Sequence, residues 1–246
     1  YTVGATGAIA GTPVEKAGKV THRYLQDDVH DFAWTADKRY AKPLVKTWNG
    51  PRGPVQVKVL YPPDYASNAQ PVLQATIDAL QYFSDTLGPY PYKTVTAVIP
   101  PYRADEAGGM EYPTFFTASS TDEDQPGTIG RFGLDFVTIH EFGHGYFYGI
   151  LGSNEFEEPA LDEGMNEYWD QRMMTARKQD IVLSTPWLKP YGIGTRITPF
   201  QMERLGANLD DPADPLGGNS WARLSSGSYG TVYSRTATAM RQIESL

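Results

Sequence analysis

The stretch His140-Glu141-Phe142-Gly143-His144, followed after eighteen intervening residues by Glu163, decides how the whole chain is read. At about 100° per residue, positions four apart on an α-helix stand about 40° from one another, so His140 and His144 present their imidazoles on one face. Both can then reach a single ion. Glu141 projects about 100° away from His140, beside that ion rather than onto it, where a carboxylate can take a proton from water. With 4 histidines and 12 glutamates in 246 residues, random placement would give such a run with a probability on the order of a few in a thousand. Reading the two histidines as ordinary members of an amphipathic helix therefore carries little weight.

The chain has no cysteine, which excludes a disulfide scaffold and any thiolate site and leaves imidazole and carboxylate as ligands. The expectation is one Zn²⁺ per chain held by His140, His144 and Glu163. Three protein ligands leave a fourth tetrahedral position for water, the arrangement of a catalytic rather than a structural site. With Glu141 as general base, these parts fit peptide hydrolysis. Glu167, one helical turn beyond Glu163, is placed to receive the outer N–H of a ligand histidine. A donor for the tetrahedral oxyanion is also needed, and the residues alone leave Tyr233 and Tyr229 both open.

Working outward, Phe132, Phe136, Ile139, Gly143 and Phe147 recur at three and four, which predicts a helix from about 129 to 150. Gly143 and Gly145 weaken it by roughly 1 kcal/mol each relative to alanine, and ordinary packing accounts for them. Pro159 starts a second helix, to about 178, which carries Glu163. Upstream, residues 56–61 alternate as a strand, Pro71 opens a helix capped by Gly88, and residues 94–99 and 114–117 read as strands. Residues 1–37 read as the tail of a β-rich unit. Residues 181–220 should be short helices and loops, and a last helix runs from about 229 to 245.

Hydrophobic residues at 40% and aromatics at 13% exclude disorder, and no apolar run is long enough to span a membrane. A net charge of -8 argues against nucleic acid, whose binding needs clustered Lys and Arg. The chain opens at Tyr1 with no basic and apolar leader, so an upstream segment is expected to have been removed, with a lean towards an exported or periplasmic setting.

Four stretches together resemble the aminopeptidase N-like gluzincins, zinc aminopeptidases with a thermolysin-like catalytic domain. They are Gly108-Gly109-Met110-Glu111-Tyr112, similar to the family's Gly-x-Met-Glu-Asn; His140 to His144; Leu161-Asp162-Glu163-Gly164-Met165, similar to Leu-Asn-Glu-Gly; and Tyr233-Ser234-Arg235-Thr236, similar to Tyr-x-Lys-Gly. The resemblance runs from about residue 24 onward, with residues 29–34 similar to the last strand of the family's β domain. It implies an α+β fold, with residues 1–37 the remnant of a preceding β domain, residues 38–246 the thermolysin-like domain, and the family's C-terminal helical region absent. It further implies that Glu111 holds the substrate's free α-amine, that Tyr233 rather than Tyr229 serves the oxyanion, and that Gly108, Gly109 and Met110 line the cleft. Tyr112 in place of Asn, Ala160 in place of Trp, and Arg235-Thr236 in place of Lys-Gly depart from the family pattern around the cleft walls.

The function expected is a zinc aminopeptidase acting on peptides with a free N-terminus. Two alternatives stand beside it: a thermolysin-like endopeptidase, should Glu111 face away from the metal, and a non-catalytic interaction module on the same fold.

Overall fold

Alternation in Val55-Gln56-Val57-Lys58-Val59 sends valines to the core and polar side chains outward, and this pattern builds one of the two inner strands of a four-stranded sheet. The computed structural model describes residues 1–184, 187–209, 216–219 and 230–246. Its strands are β1 (Thr2–Ala5), β2 (Ala8–Ile9), β3 (Val14–Lys16), β4 (Lys19–Thr21), β5 (Tyr24–Leu25), β6 (Trp34–Asp37), β7 (Leu44–Gly50), β8 (Gly53–Leu60), β9 (Thr94–Val98), β10 (Phe115–Thr117), β11 (Ile181–Leu183) and β12 (Thr195–Ile197). Its α-helices are α1 (Ala66–Thr86), α2 (Ile129–His144), α3 (Met165–Ala176), α4 (Pro199–Ala207) and α5 (Gly230–Glu244). Among the described residues, no helix is long and apolar enough to cross a membrane.

The chain forms two compact units, Tyr1–Asp124 with Val137–Phe142, and Gln125–Phe136 with Gly143–Leu246, so α2 is one continuous helix whose turns belong to both. In the first unit the sheet order is β10-β9-β8-β7, with β7 antiparallel to β8 and the other neighbours parallel. Helix α1 packs on it with Leu73, Leu80 and Phe83 buried. Phe142 of α2 stacks on Phe83 with ring centroids 6.0 Å apart and meets Tyr90 at 5.4 Å, which anchors the turn carrying His140 and Glu141 to this core. Residues 1–37 carry six short strands paired antiparallel as β1-β6, β2-β5 and β3-β4. Just past β6, Arg39 donates to both oxygens of Asp37, and this pairing holds the Asp37 carboxyl down to about 2.

In the second unit α3, α4 and α5 bury Met173, Met174, Val232 and Ala237. Thr128 caps α2 by accepting from Arg131 N at 3.1 Å. Thr198 and Gln201 form a capping box on α4, with Pro199 in its first turn.

Several expectations are corrected. Helix α1 begins at Ala66, not Pro71, and Pro71 lies inside it. The Asn68 side chain exchanges two hydrogen bonds with the Thr121 backbone, at 3.0 and 2.9 Å, and this tertiary anchor holds the first turn despite the missing proline donor. Residues 29–33 are irregular and the strand is Trp34–Asp37, because Asp28 turns the chain at φ +57° and Asp31 accepts from Phe32 N. The edge strand β7 was not foreseen, since only Trp48 of its large side chains is buried. Among the described residues between 181 and 220 the structure adds the antiparallel pair β11-β12 to the short helices and loops expected there. The helix expected over 129–150 is α-helical only to His144 and continues as a π-helical turn over Gly145–Ile150, and the one opening at Pro159 starts as a second π-helical turn, Ala160–Gly164. Such turns cluster at functional sites.

Candidate metal centre

His140, Glu141 and His144 sit on α2 and Glu163 in the π-helical turn that leads into α3, and all four are at least nine-tenths buried. One donor atom each of His140, His144 and Glu163 lies within 4.8 Å of the others. The separation between His144 Nε2 and Glu163 Oε2 is 3.4 Å. That is long for a hydrogen bond but matches the edge of about 3.3 Å expected between two ligands of a tetrahedral zinc ion bound at about 2.0–2.1 Å. The donor set, two imidazoles and one carboxylate with no thiolate, suits zinc in an open site.

His144 Nδ1 stands 2.5 Å from Asp162 Oδ1, both groups almost wholly buried. In the tautomer with its proton on Nδ1, the ring donates to Asp162 and presents the lone pair of Nε2 towards Glu163. Sequence reasoning named Glu167 for this kind of role and passed over Asp162. Glu167 and Asp170 each offer an oxygen within 4.8 Å of a ring nitrogen of His140. The signal for this cluster was available: Asp162, Glu163, Glu167 and Asp170 are four acids within nine residues, with 163, 167 and 170 at helical spacing, and all four are buried.

Helix α5 brings Tyr233 to the same place, its hydroxyl donating to Glu163 Oε1 at 2.6 Å. The approach depends on Gly164, where an added Cβ would overlap the Val232 carbonyl and the Thr236 side chain. The other candidate, Tyr229, lies outside the described residues.

In the first unit, Gly109 at φ +69° donates its N–H to Thr117 O at 2.8 Å, and Met110 O accepts from Thr117 N at 3.0 Å, which lays this segment antiparallel along β10. A Cβ at Gly109 would reach Glu141 Oε1 at 3.5 Å, so the bare backbone lies against the proposed base. Glu111 and Glu141 each present an oxygen within 4.8 Å of the other. Gly108, Gly109 and Met110 also line a cavity of about 460 Å³ together with Trp34, Tyr40 and Tyr112.

This architecture recurs in solved structures. Aminopeptidase A of Legionella pneumophila, in complex with aspartic acid, superposes with a TM-score of 0.67 at 14% identity over 98% of this chain and 27% of that one. An M1 zinc metallopeptidase from Deinococcus radiodurans gives 0.63 at 17% identity over 98% of this chain and 48% of that one. The fold is that of M1 zinc metallopeptidases. A two-domain M1 zinc metallopeptidase bound to L-arginine agrees, with a TM-score of 0.58 at 16% identity, 99% of this chain and 49% of that one. The chain thus spans between about a quarter and a half of the length of these structural relatives. No protein-family model and no curated sequence matches it.

Proposed function

We propose that the chain is the catalytic region of a zinc aminopeptidase, with residues 38–246 a thermolysin-like domain and residues 1–37 the end of a β-rich domain. The single observation carrying this reading is the convergence of His140, His144 and Glu163, with Glu141 adjoining them and the Glu111 carboxylate within 4.8 Å of it. Zinc bound by the three ligands would supply Lewis acidity, polarising the substrate carbonyl and lowering the pKa of water.

The chain's own residues do the remaining work. Glu141 takes the proton of the attacking water and hands it to the nitrogen of the leaving amine as the C–N bond breaks. Tyr233, its hydroxyl beside Glu163, donates to the oxygen on which negative charge develops in the transition state. Glu111 pairs with the ammonium of the substrate's first residue. The backbone of Gly108 and Gly109, bare of side chains, gives an extended substrate a close approach, with Met110 continuing the wall. Asp162 on His144, with Glu167 and Asp170 beside His140, keeps both imidazoles in the ligating orientation.

The test is metal analysis of the purified protein together with hydrolysis of aminoacyl p-nitroanilides and of peptides with free or acetylated N-termini. Bound zinc and cleavage confined to free N-termini are expected, with Glu141→Gln lowering kcat by about 10²–10⁴ while zinc stays bound. Faster cleavage of acetylated peptides would instead mark an endopeptidase, and zinc binding without any hydrolysis would mark a binding module.

A further inference from the structure

Gly143 lies between the two ligand histidines, and an added Cβ there would overlap Asn166 Oδ1 and stand 3.0 Å from its Cγ and 3.4 Å from its Nδ2. Real Cβ atoms do not approach other atoms so closely, so the Asn166 amide occupies the volume that a side chain at position 143 would fill. Asn166 is wholly buried and has no solvent into which to swing away. Its place along the chain gives this contact its consequence. Asn166 is three residues beyond Glu163, in the first turn of the α3 helix that the π-helical turn carrying Glu163 leads into, while Gly143 immediately precedes His144. The contact therefore lies one residue or one turn from Glu163 and His144, the two side chains whose donor atoms are 3.4 Å apart.

Gly164, the residue directly after Glu163, also permits a close approach, of the Val232 carbonyl and the Thr236 side chain of α5. Two close approaches, each allowed by a glycine, thus involve residues that follow Glu163 closely in the chain, Gly164 and Asn166. Buried interiors are packed densely enough that an extra methyl at such a point moves backbone rather than filling a void. A ligand carboxylate displaced by even about half an ångström leaves the tolerance of a zinc site, which is about 0.2 Å in bond length.

We propose that Gly143 and Asn166 form a volume-matched pair acting as a positioning device for the metal centre: the amide fills the gap left by the glycine and so sets the distance at which Glu163 stands from His144. This rests on the reading that His140, His144 and Glu163 hold zinc. A purely space-filling view of either residue predicts independent effects of substitution. Volume matching predicts compensation, since alanine at both positions restores nearly the same total size that either change alone upsets.

The experiment is a double-mutant cycle with zinc affinity as its readout, measured by competition with a chromophoric chelator on the full chain, with circular dichroism as the check on folding. Gly143→Ala should weaken zinc binding at least tenfold, the lower end of what disturbed outer contacts of a metal site cost. Adding Asn166→Ala to it should bring affinity back to within about threefold of the original chain. If Gly143→Ala does not fold, recovery of both folding and zinc binding in the double variant carries the same meaning. Wild-type affinity in Gly143→Ala, a double variant no better than the single one, or a parent chain that binds no zinc would each overturn the proposal. Because the readout is metal affinity, a chain that binds zinc and shows this compensation but hydrolyses no peptide would sink the aminopeptidase reading and leave the positioning pair standing.

Discussion

At the level of single residues, the candidate metal centre is a set of buried acids and imidazoles told apart by the atoms they meet. Asp162 differs from Glu163 only in reach and direction, yet one meets the outer nitrogen of His144 at 2.5 Å and the other faces its inner nitrogen at 3.4 Å. Removing the outer partner should loosen the ring without deleting a ligand. Asp162→Ala is expected to weaken zinc binding by about 10–100-fold, and Asp162→Asn, which keeps an acceptor oxygen but no charge, by less; chelator competition reads both, and equal affinity in all three proteins would show that the contact does not matter. Tyr233 donates to Glu163 Oε1 in the resting arrangement, so its hydroxyl could serve either the ligand or the reaction. Tyr233→Phe should lower kcat by about 10²–10³ with zinc affinity almost unchanged. A fall in affinity with full turnover per bound zinc would assign Tyr233 to holding Glu163 instead. The meeting of His140, His144 and Glu163 was legible in sequence because the two histidines stand a helical period apart and Glu163 follows at a short spacing. Asp162 was not, because adjacency in sequence does not say which nitrogen of which histidine a side chain meets.

Among the elements, local propensity and tertiary contact compete in ways the helices make plain. Pro71 marks a helix start on local grounds, but the pair of bonds between Asn68 and Thr121 extends α1 back to Ala66. At α4 local chemistry prevails, since Thr198, Pro199 and Gln201 supply the cap, the first-turn proline and the returning amide within four residues. Thr198→Ala should therefore cost about 1 kcal/mol, seen as a lower denaturation midpoint with an unchanged m-value; a larger loss would mean that α4 depends on the cap for more than its own first turn. The two π-helical turns, one directly after His144 and one containing Glu163, have no sequence signature comparable to a cap. An extra residue per turn is tolerated where close packing demands it, and the demand comes from neighbouring elements.

For the molecule as a whole, binding of zinc by the folded chain alone must raise its stability by mass action. At free zinc 100 times its dissociation constant the gain is about 2.7 kcal/mol, or about 5–10 °C in Tm for a chain of this size, and chelation should reverse it. A Tm indifferent to zinc and to chelator would contradict a preformed site. Composition and motif together carried the proposed chemistry: no cysteine, a -8 charge and the His140-to-Glu163 spacing left a zinc hydrolase as the coherent reading of the sequence. Individual elements, β8, α1 and α2, followed from alternation and three-four periodicity, since both are properties of a few consecutive residues, whereas the α+β class came from the resemblance carried by the four motifs. What only the tertiary structure decided is how far apart those residues stand: the overlap that forbids a side chain at Gly143, the approach of Val232 and Thr236 at Gly164, and the choice of Asp162 as the partner of His144. Periodicity is written along one chain segment, whereas a separation of tenths of an ångström between segments is set by the packed volume of every side chain between them.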